Sequence, residues 1–358
     1  MVVSNVKVDL KLGDVKEHPP RFIRKRISES ASEANFYPRN YDKLVREIAD
    51  YNGLESENIL LVDGTDGAID LIAKTFAKKV IYFTPTYYEF RAAAERNRIP
   101  RKEIKTVPID RWRARALVDH CPGDFVVYNT PQEEFYCGSI SLEDRDDPRN
   151  VIFLCNPNNP FGEISVPCSW PLLKESKGII AVDETYHGFG NFGTLIDRIE
   201  EFPNLLVMRS FSKEHGLAGL RIGYIAGQPE KIKQLADSKV FFDVSSVSVE
   251  CASAALEGND YFEKRTKRKV RQRRGFEYFL EKLGLPVVPT YTNNILLHFN
   301  LEPEADTLVN YLKDNGVLVN QGDGISTVGL DKSWVRMCCG TKDQMKRVRE
   351  VISSYAAR

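Results

Sequence analysis

The sequence lacks an excess of charge of either sign: 50 Lys+Arg face 50 Asp+Glu, for a formal net charge of zero. That balance argues against a nucleic-acid or membrane-surface protein, which draws its affinity from surplus basic charge. No apolar run approaches the ~18 residues of a membrane span. The longest clean runs, Val151 to Cys155 and Ile179 to Val182, are the size of strands. Met1 to Asp9 carries no basic-then-apolar leader. The seven cysteines form no C-x-x-C pair and the five histidines are dispersed, so the spacing of a zinc site is missing. Adjacent Cys338 and Cys339 cannot bridge each other without strain, and the cysteines read as reduced thiols acting as small hydrophobes. Repeats and low-complexity tracts are absent. These absences imply a cytoplasmic protein with no metal, no membrane and no nucleic-acid partner.

What is present is an ordinary globular composition, 42% hydrophobic and 28% charged over 358 residues, long enough for two or more lobes. Short β-rich runs alternate with helical patterns, which signals an α/β architecture. Candidate strands are Ile59–Val62, Val80–Phe83, Val151–Cys155, Ile179–Val182, Leu205–Met208 and Ile222–Ala226. Several are apolar throughout, as expected of strands covered on both faces of a mainly parallel sheet. Helical patterns fall at Ala68–Ala77, Tyr88–Arg96 and Ser169–Glu175. After about Glu250 the character changes. A charged helical segment from Tyr261 to Leu283 precedes strands at Ile295–Phe299 and Trp334–Cys339, with helices at Glu304–Asn315 and from Lys342. The expected division is an N-terminal segment, 1–35, packing with the small domain; a large domain, 36–255; and a smaller α+β domain, 256–358. Tyr128 to Ser141 reads as an irregular insertion following a possible strand at Phe125–Tyr128.

Four local motifs carry chemistry. Asp63-Gly64-Thr65-Asp66-Gly67 joins a strand to a helix, where exposed N–H groups and the helix dipole favour an anion. Taken alone it is also a plain turn with a capping Thr or Asp. Asn156-Pro157-Asn158-Asn159-Pro160-Phe161-Gly162 is a rigid loop at the carboxyl end of an apolar strand, where open α/β sheets place ligands. Asp183, in Val182-Asp183-Glu184-Thr185-Tyr186, closes another such strand; it is either a helix cap or a desolvated charge that needs a cation. Lys213, in Ser210-Phe211-Ser212-Lys213, stands past a third strand and is followed by Leu217-Ala218-Gly219-Leu220-Arg221-Ile222-Gly223. It is either an ordinary surface lysine or an amine able to form a Schiff base.

Together the four meet the needs of pyridoxal 5′-phosphate. A lysine forms an imine with its aldehyde, an aspartate holds its ring nitrogen protonated, an asparagine faces its phenolic oxygen, and a glycine turn with Ser and Arg holds its phosphate. In this order the motifs are diagnostic. From about Asn35 onward the chain resembles the fold-type I pyridoxal-phosphate-dependent aminotransferases of class I/II, in their histidinol-phosphate aminotransferase-like branch. The resemblance implies a homodimer that moves an amino group from an L-amino acid, or a histidinol phosphate-like amine, to a 2-oxo acid such as 2-oxoglutarate. It implies Lys213 as Schiff-base lysine and proton-transfer base, and Asp183 as partner of the ring nitrogen. Asn159 and Tyr186 would hold the phenolic oxygen and Tyr87 would stack on the ring. The phosphate would lie against Gly64, Thr65 and Asp66 with Ser210, Ser212 and Arg221. Tyr37, in Asn35-Phe36-Tyr37-Pro38, would reach the phosphate of the partner subunit. Arg336 would clamp the substrate α-carboxylate, with Asn159 and Asn320 also on the substrate side.

The chain departs from the family pattern at several points. Phe161 replaces the usual threonine of Asn-Pro-Thr-Gly. Leu12-Gly13-Asp14-Val15-Lys16-Glu17-His18-Pro19-Pro20 replaces the Asn-Glu-Asn-Pro segment, and Asn320 replaces an arginine that would grip a substrate phosphate. The alternative chemistry is a lyase or decarboxylase of the threonine-phosphate decarboxylase type on the same scaffold. From another class comes a nucleic-acid module built on Lys264 to Arg274. In helical form those charges point all round, without interleaved aromatics, and read as a solvated connecting helix.

Overall fold

The central sheet has seven strands in the spatial order Ile59–Val62, Gly223–Gly227, Leu205–Ser210, Ile179–Asp183, Asn150–Cys155, Lys79–Thr84 and Arg101–Lys105. This computed structural model describes residues 8–110, 114, 125–129, 135–160, 162, 170–190, 192–322 and 329–358. Only Gly223–Gly227 runs against its neighbours; the other pairings are parallel. The expected mainly parallel α/β sheet is what forms. Its apolar runs are explained by two covered faces. Ile81, Phe83, Ile152, Leu154, Ile180 and Val182 pack into one core, and their alternates Val80, Tyr82, Val151, Phe153 and Ala181 into the other. Each fully buried aliphatic or aromatic side chain contributes about 1.5–3 kcal/mol.

Apart from the cores of the central sheet, a smaller core is built on a four-stranded sheet, Val287–Val288, Asn294–His298, Trp334–Cys338 and Asn320–Gln321, antiparallel throughout. Leu297, Leu308, Leu312, Met337, Val348 and Ile352 fill it. The helix Asn259–Lys282 belongs to both cores, with Phe262 in the large one and Phe276 and Leu280 in the small one. Its basic run does point all round. Lys264, Lys267, Arg268, Arg271 and Arg274 are exposed, whereas Arg265, Lys269 and Arg273 are buried at four-residue spacing. Those three find polar partners. Arg265 donates to the Glu214 carbonyl (2.7 Å), Lys269 to the Gly340 carbonyl (2.9 Å), and Arg273 to the Thr292 carbonyl.

Two expectations are corrected. Of the expected segment 1–35, the described residues from Val8 onward do not all pack with the small domain. Val8–Asp9 pairs with Val317–Leu318 and Leu10 enters the small core. The helix Arg21–Ala31 instead lies on the helix Ser246–Glu257, with Ile23 in the large core, because its apolar positions face that way. The Tyr128–Ser141 stretch is also more regular than its mixed composition suggests. Phe125–Asn129 and Phe135–Ser139 pair antiparallel, and Val107–Ile109 completes a three-stranded sheet. Cross-strand pairs such as Tyr128 with Tyr136 stabilise that ladder. Ser141 then caps the helix Leu142–Asp146 by accepting from the Asp144 N–H. Phe161, Cys121 and Cys168 lie outside the described residues. The five described cysteines are buried free thiols. No helix among the described residues is long and apolar enough to cross a membrane.

Candidate active site

The carboxyl ends of the parallel strands converge on a cavity of about 340 Å³ whose lining includes Thr65, Asp66, Tyr87, Asn159, Asp183, Tyr186, Ser212, Lys213, Arg221 and Arg336. Strand register brings these groups together. Asp183 ends its strand level with Cys155 on one side and Met208 on the other. Asn159 and Lys213 follow immediately after those two neighbouring strands. Asp183 is buried and its Oδ1 accepts the Thr185 N–H at 2.9 Å. No salt bridge to it exists among the described residues, and burial pushes its carboxyl up to about 6. A carboxylate in that position awaits a cation. The Lys213 ammonium lines the same cavity, donating to the Gly13 carbonyl at 3.1 Å and standing 5.7 Å from the Tyr186 ring.

The anion cradle is equally specific. Gly64, at φ +89°, turns the chain into the helix Thr65–Phe76. A Cβ there would stand 3.1 Å from Arg221 Nη2, so glycine allows the approach of the guanidinium. Arg221 is itself held in a left-handed conformation, φ +47°, a strain that persists where surrounding structure over-determines it. Its Nη2 donates to Asp66 Oδ2 at 2.6 Å, and Tyr87 donates its hydroxyl to Asp66 Oδ1 at 2.8 Å. Burial and that carboxylate hold the Tyr87 phenol well above its ordinary range. Ser210 donates to Ser212 Oγ at 2.8 Å, which leaves the Ser212 hydroxyl proton available to an anion.

These features fit pyridoxal 5′-phosphate: an amine and an uncompensated buried carboxylate flank one cavity, and an N-terminal helix turn and an arginine bound one side of it. Asn159 is buried with its Oδ1 unpaired among the described residues, a polar group left for a ligand. The other candidates divide. Gly64 and Ser210 stand behind the cavity, supporting Arg221 and Ser212. Asn320 does not line it: the Asn320 amide donates to the Lys11 carbonyl at 2.6 Å, so it tethers the N-terminal strap rather than facing a substrate. Tyr37 is 73% exposed and stacked on Phe242, on the outer surface of the chain.

That strap was invisible as a site element in the sequence. Leu12, Gly13 and Asp14 line the cavity. The Lys11 carbonyl accepts from Arg336 Nη1 at 3.4 Å, and the Gly13 carbonyl accepts from Asn293 Nδ2 at 2.9 Å. Its one sequence signal was a glycine at the start of a segment departing from the family pattern.

Glu184, beside Asp183, has another task. Its buried carboxylate accepts from Arg209 Nη2 (2.9 Å), the Thr194 hydroxyl (2.6 Å) and the Leu195 N–H (2.8 Å), which fixes the loop that carries Tyr186. Replacing Arg209 by leucine strands that charge. The expected cost is about 3–5 kcal/mol of stability, read from the midpoint of chemical denaturation.

The family model for aminotransferases of class I and II matches residues 5–352. The chain belongs to that family. It is a pyridoxal 5′-phosphate-dependent aminotransferase, similar to the histidinol-phosphate aminotransferase of Thermoanaerobacter sp. (strain X514), 33% identical over 86% of this chain and 82% of that protein. The fold of this aminotransferase matches two solved structures. One is the histidinol-phosphate aminotransferase from Sinorhizobium meliloti in complex with pyridoxal-5′-phosphate, with a TM-score of 0.78 at 20% identity over 98% of this chain and 92% of that one. The other is the L-threonine-O-3-phosphate decarboxylase from Porphyromonas gingivalis, with a TM-score of 0.76 at 21% identity over 98% of this chain and 100% of that one.

Proposed function

We propose that this aminotransferase moves an amino group from an L-amino acid, or a histidinol phosphate-like amine, to a 2-oxo acid such as 2-oxoglutarate. The observation that carries this reading is that Asp183, buried with no salt bridge among the described residues, and Lys213 line one cavity. When bound, the cofactor supplies a ring that draws electron density away from the substrate Cα. The chain's residues then have defined tasks. Lys213 Nζ would hold the cofactor through its aldehyde carbon and would be the group that carries the proton taken from the substrate Cα. Asp183 keeps the ring nitrogen protonated. Asn159 and Tyr186 donate to the phenolic oxygen, and Tyr87 covers one ring face. The backbone N–H groups of Thr65 and Asp66, with Ser212 and Arg221, hold the phosphate. For Arg221 to do so, the phosphate takes the place of the Asp66 carboxylate as its partner.

Arg336 grips the substrate α-carboxylate through its planar fork. It is buried, lines the cavity and has an unpaired Nε among the described residues. Arg336→Ala is expected to raise KM for a carboxylate-bearing donor by at least about a hundredfold with a smaller change in kcat, since a charged hydrogen bond contributes about 1.5–3 kcal/mol and this fork makes two. An unchanged KM removes Arg336 from the role.

Tyr37 serves a second subunit in this reading. Its exposed ring, with Phe241 and Phe242, forms an aromatic face that a homodimer covers. The two lobes divide near 256, with the long helix as their common strut. A panel of amino donors with 2-oxoglutarate tests the function. Donors that convert the cofactor's visible absorption, restored by the oxo acid, support transamination. Release of carbon dioxide without any oxo acid identifies the decarboxylase chemistry instead.

A further inference from the structure

Asn294 presents an unexplained cost. It is fully buried, its backbone N–H and C=O are bonded to the hydroxyls of Thr292 and Thr290, and yet both polar atoms of its amide lack a partner among the described residues. A buried amide left unpaired is destabilising. It lies on the strand next to that of Arg336, where Leu296 is directly opposite Arg336. Residues two apart on a strand share a face, so Asn294 and Arg336 are diagonal neighbours on one side of the small sheet.

The strap locates the space between them. A side chain at Gly13 would point to a spot 2.9 Å from the Tyr186 hydroxyl, 3.2 Å from Arg336 Nη2 and 3.5 Å from Asn294 Oδ1. Groups from three separate elements therefore converge on the bare face of Gly13. Arg336 Nε is also unpaired and buried. One arrangement satisfies all these orphans: the Asn294 carbonyl accepts from Arg336 Nε–H, and the Asn294 NH₂ donates to an oxygen held by the guanidinium. We infer that Asn294 is a positioning residue that completes the carboxylate clamp built on Arg336. The inference rests on the reading of Arg336 as the carboxylate ligand. It adds a donor that the sequence motifs did not reveal.

The test uses the cofactor-loaded enzyme with L-glutamate and its neutral α-amide, each binding constant read from the change in visible absorption. Asn294→Ala is expected to weaken L-glutamate about tenfold, leave the α-amide within about twofold, and leave kcat within about threefold. Because the amide is unpaired before substrate enters, the same substitution is expected not to lower the melting temperature of the substrate-free enzyme. Asn294→Asp, which places a like charge beside the carboxylate, is expected to weaken L-glutamate further. Equal weakening of both ligands, unchanged L-glutamate binding, or a melting temperature lowered by several degrees overturns the proposal. Arg336→Ala separates the two levels. If it leaves L-glutamate binding unchanged, the underlying carboxylate assignment fails. If it weakens L-glutamate while Asn294→Ala does not, only the role of Asn294 fails.

Discussion

Lys213→Ala is expected to retain no cofactor covalently after borohydride treatment and to lower kcat at least a thousandfold. The size follows from two losses at one atom. The anchoring amine disappears, and so does the proton carrier, which alone contributes about 10²–10⁴ in rate. Among the described residues Lys213 is the only lysine lining the cavity, so no neighbour substitutes for it. Intact-mass analysis after reduction checks the first effect and single-turnover absorbance checks the second. A reduced adduct that persists in the alanine protein would place the anchoring amine elsewhere.

Asp183→Asn gives the second large effect, and it has opposite signs in two forms of the protein. In the cofactor-free protein the folded pKa of about 6 stands above the ordinary value of 3.8. The folded state therefore binds more protons than the unfolded chain between roughly pH 4 and 6, so stability falls as pH rises through that window. The difference amounts to about 3 kcal/mol. The asparagine protein is expected to lack this slope and to be the more stable of the two above pH 6, as seen in denaturation midpoints measured from pH 4 to 8. With cofactor bound the order reverses, because the carboxylate gains a cationic ring nitrogen. The variant is expected to hold cofactor about a hundredfold or more less tightly, the range for truncating one member of a buried charge pair, and to lose kcat because the ring nitrogen is no longer kept protonated. Parallel pH profiles for the two cofactor-free proteins would remove Asp183 from its desolvated role.

Much of this site was legible because its residues follow apolar strands directly. Asp183, Asn159 and Lys213 each stand at the carboxyl end of a run that reads as a buried strand, and parallel pairing brings adjacent strand ends together. Asn293, Asn294 and Gly13 were not legible. Their significance comes from contacts between residues some 280 positions apart, and no local pattern encodes which amides are left unpaired. Asn320 shows the converse. It stands where the family pattern has an arginine and was placed on the substrate side, but in the fold it pairs with Arg336 and its amide donates to the Lys11 carbonyl, a partner that only the folded N-terminal segment supplies. The strand Phe135–Ser139 was not legible because its stabilisation is cross-strand rather than sequential. In the basic run, the sequence could not say which cations turn inward. Arg265, Lys269 and Arg273, spaced four residues apart on one helix face, turn inward onto the carbonyl oxygens of Glu214, Gly340 and Thr292.

The helix Asn259–Lys282 is 24 residues long, about 36 Å at 1.5 Å per residue. With Phe262 in the large core and Phe276 and Leu280 in the small one, it is shared by both lobes. A proteolytic cut within it would bare Phe262 on one side and Phe276 on the other. Neither lobe can then be excised cleanly.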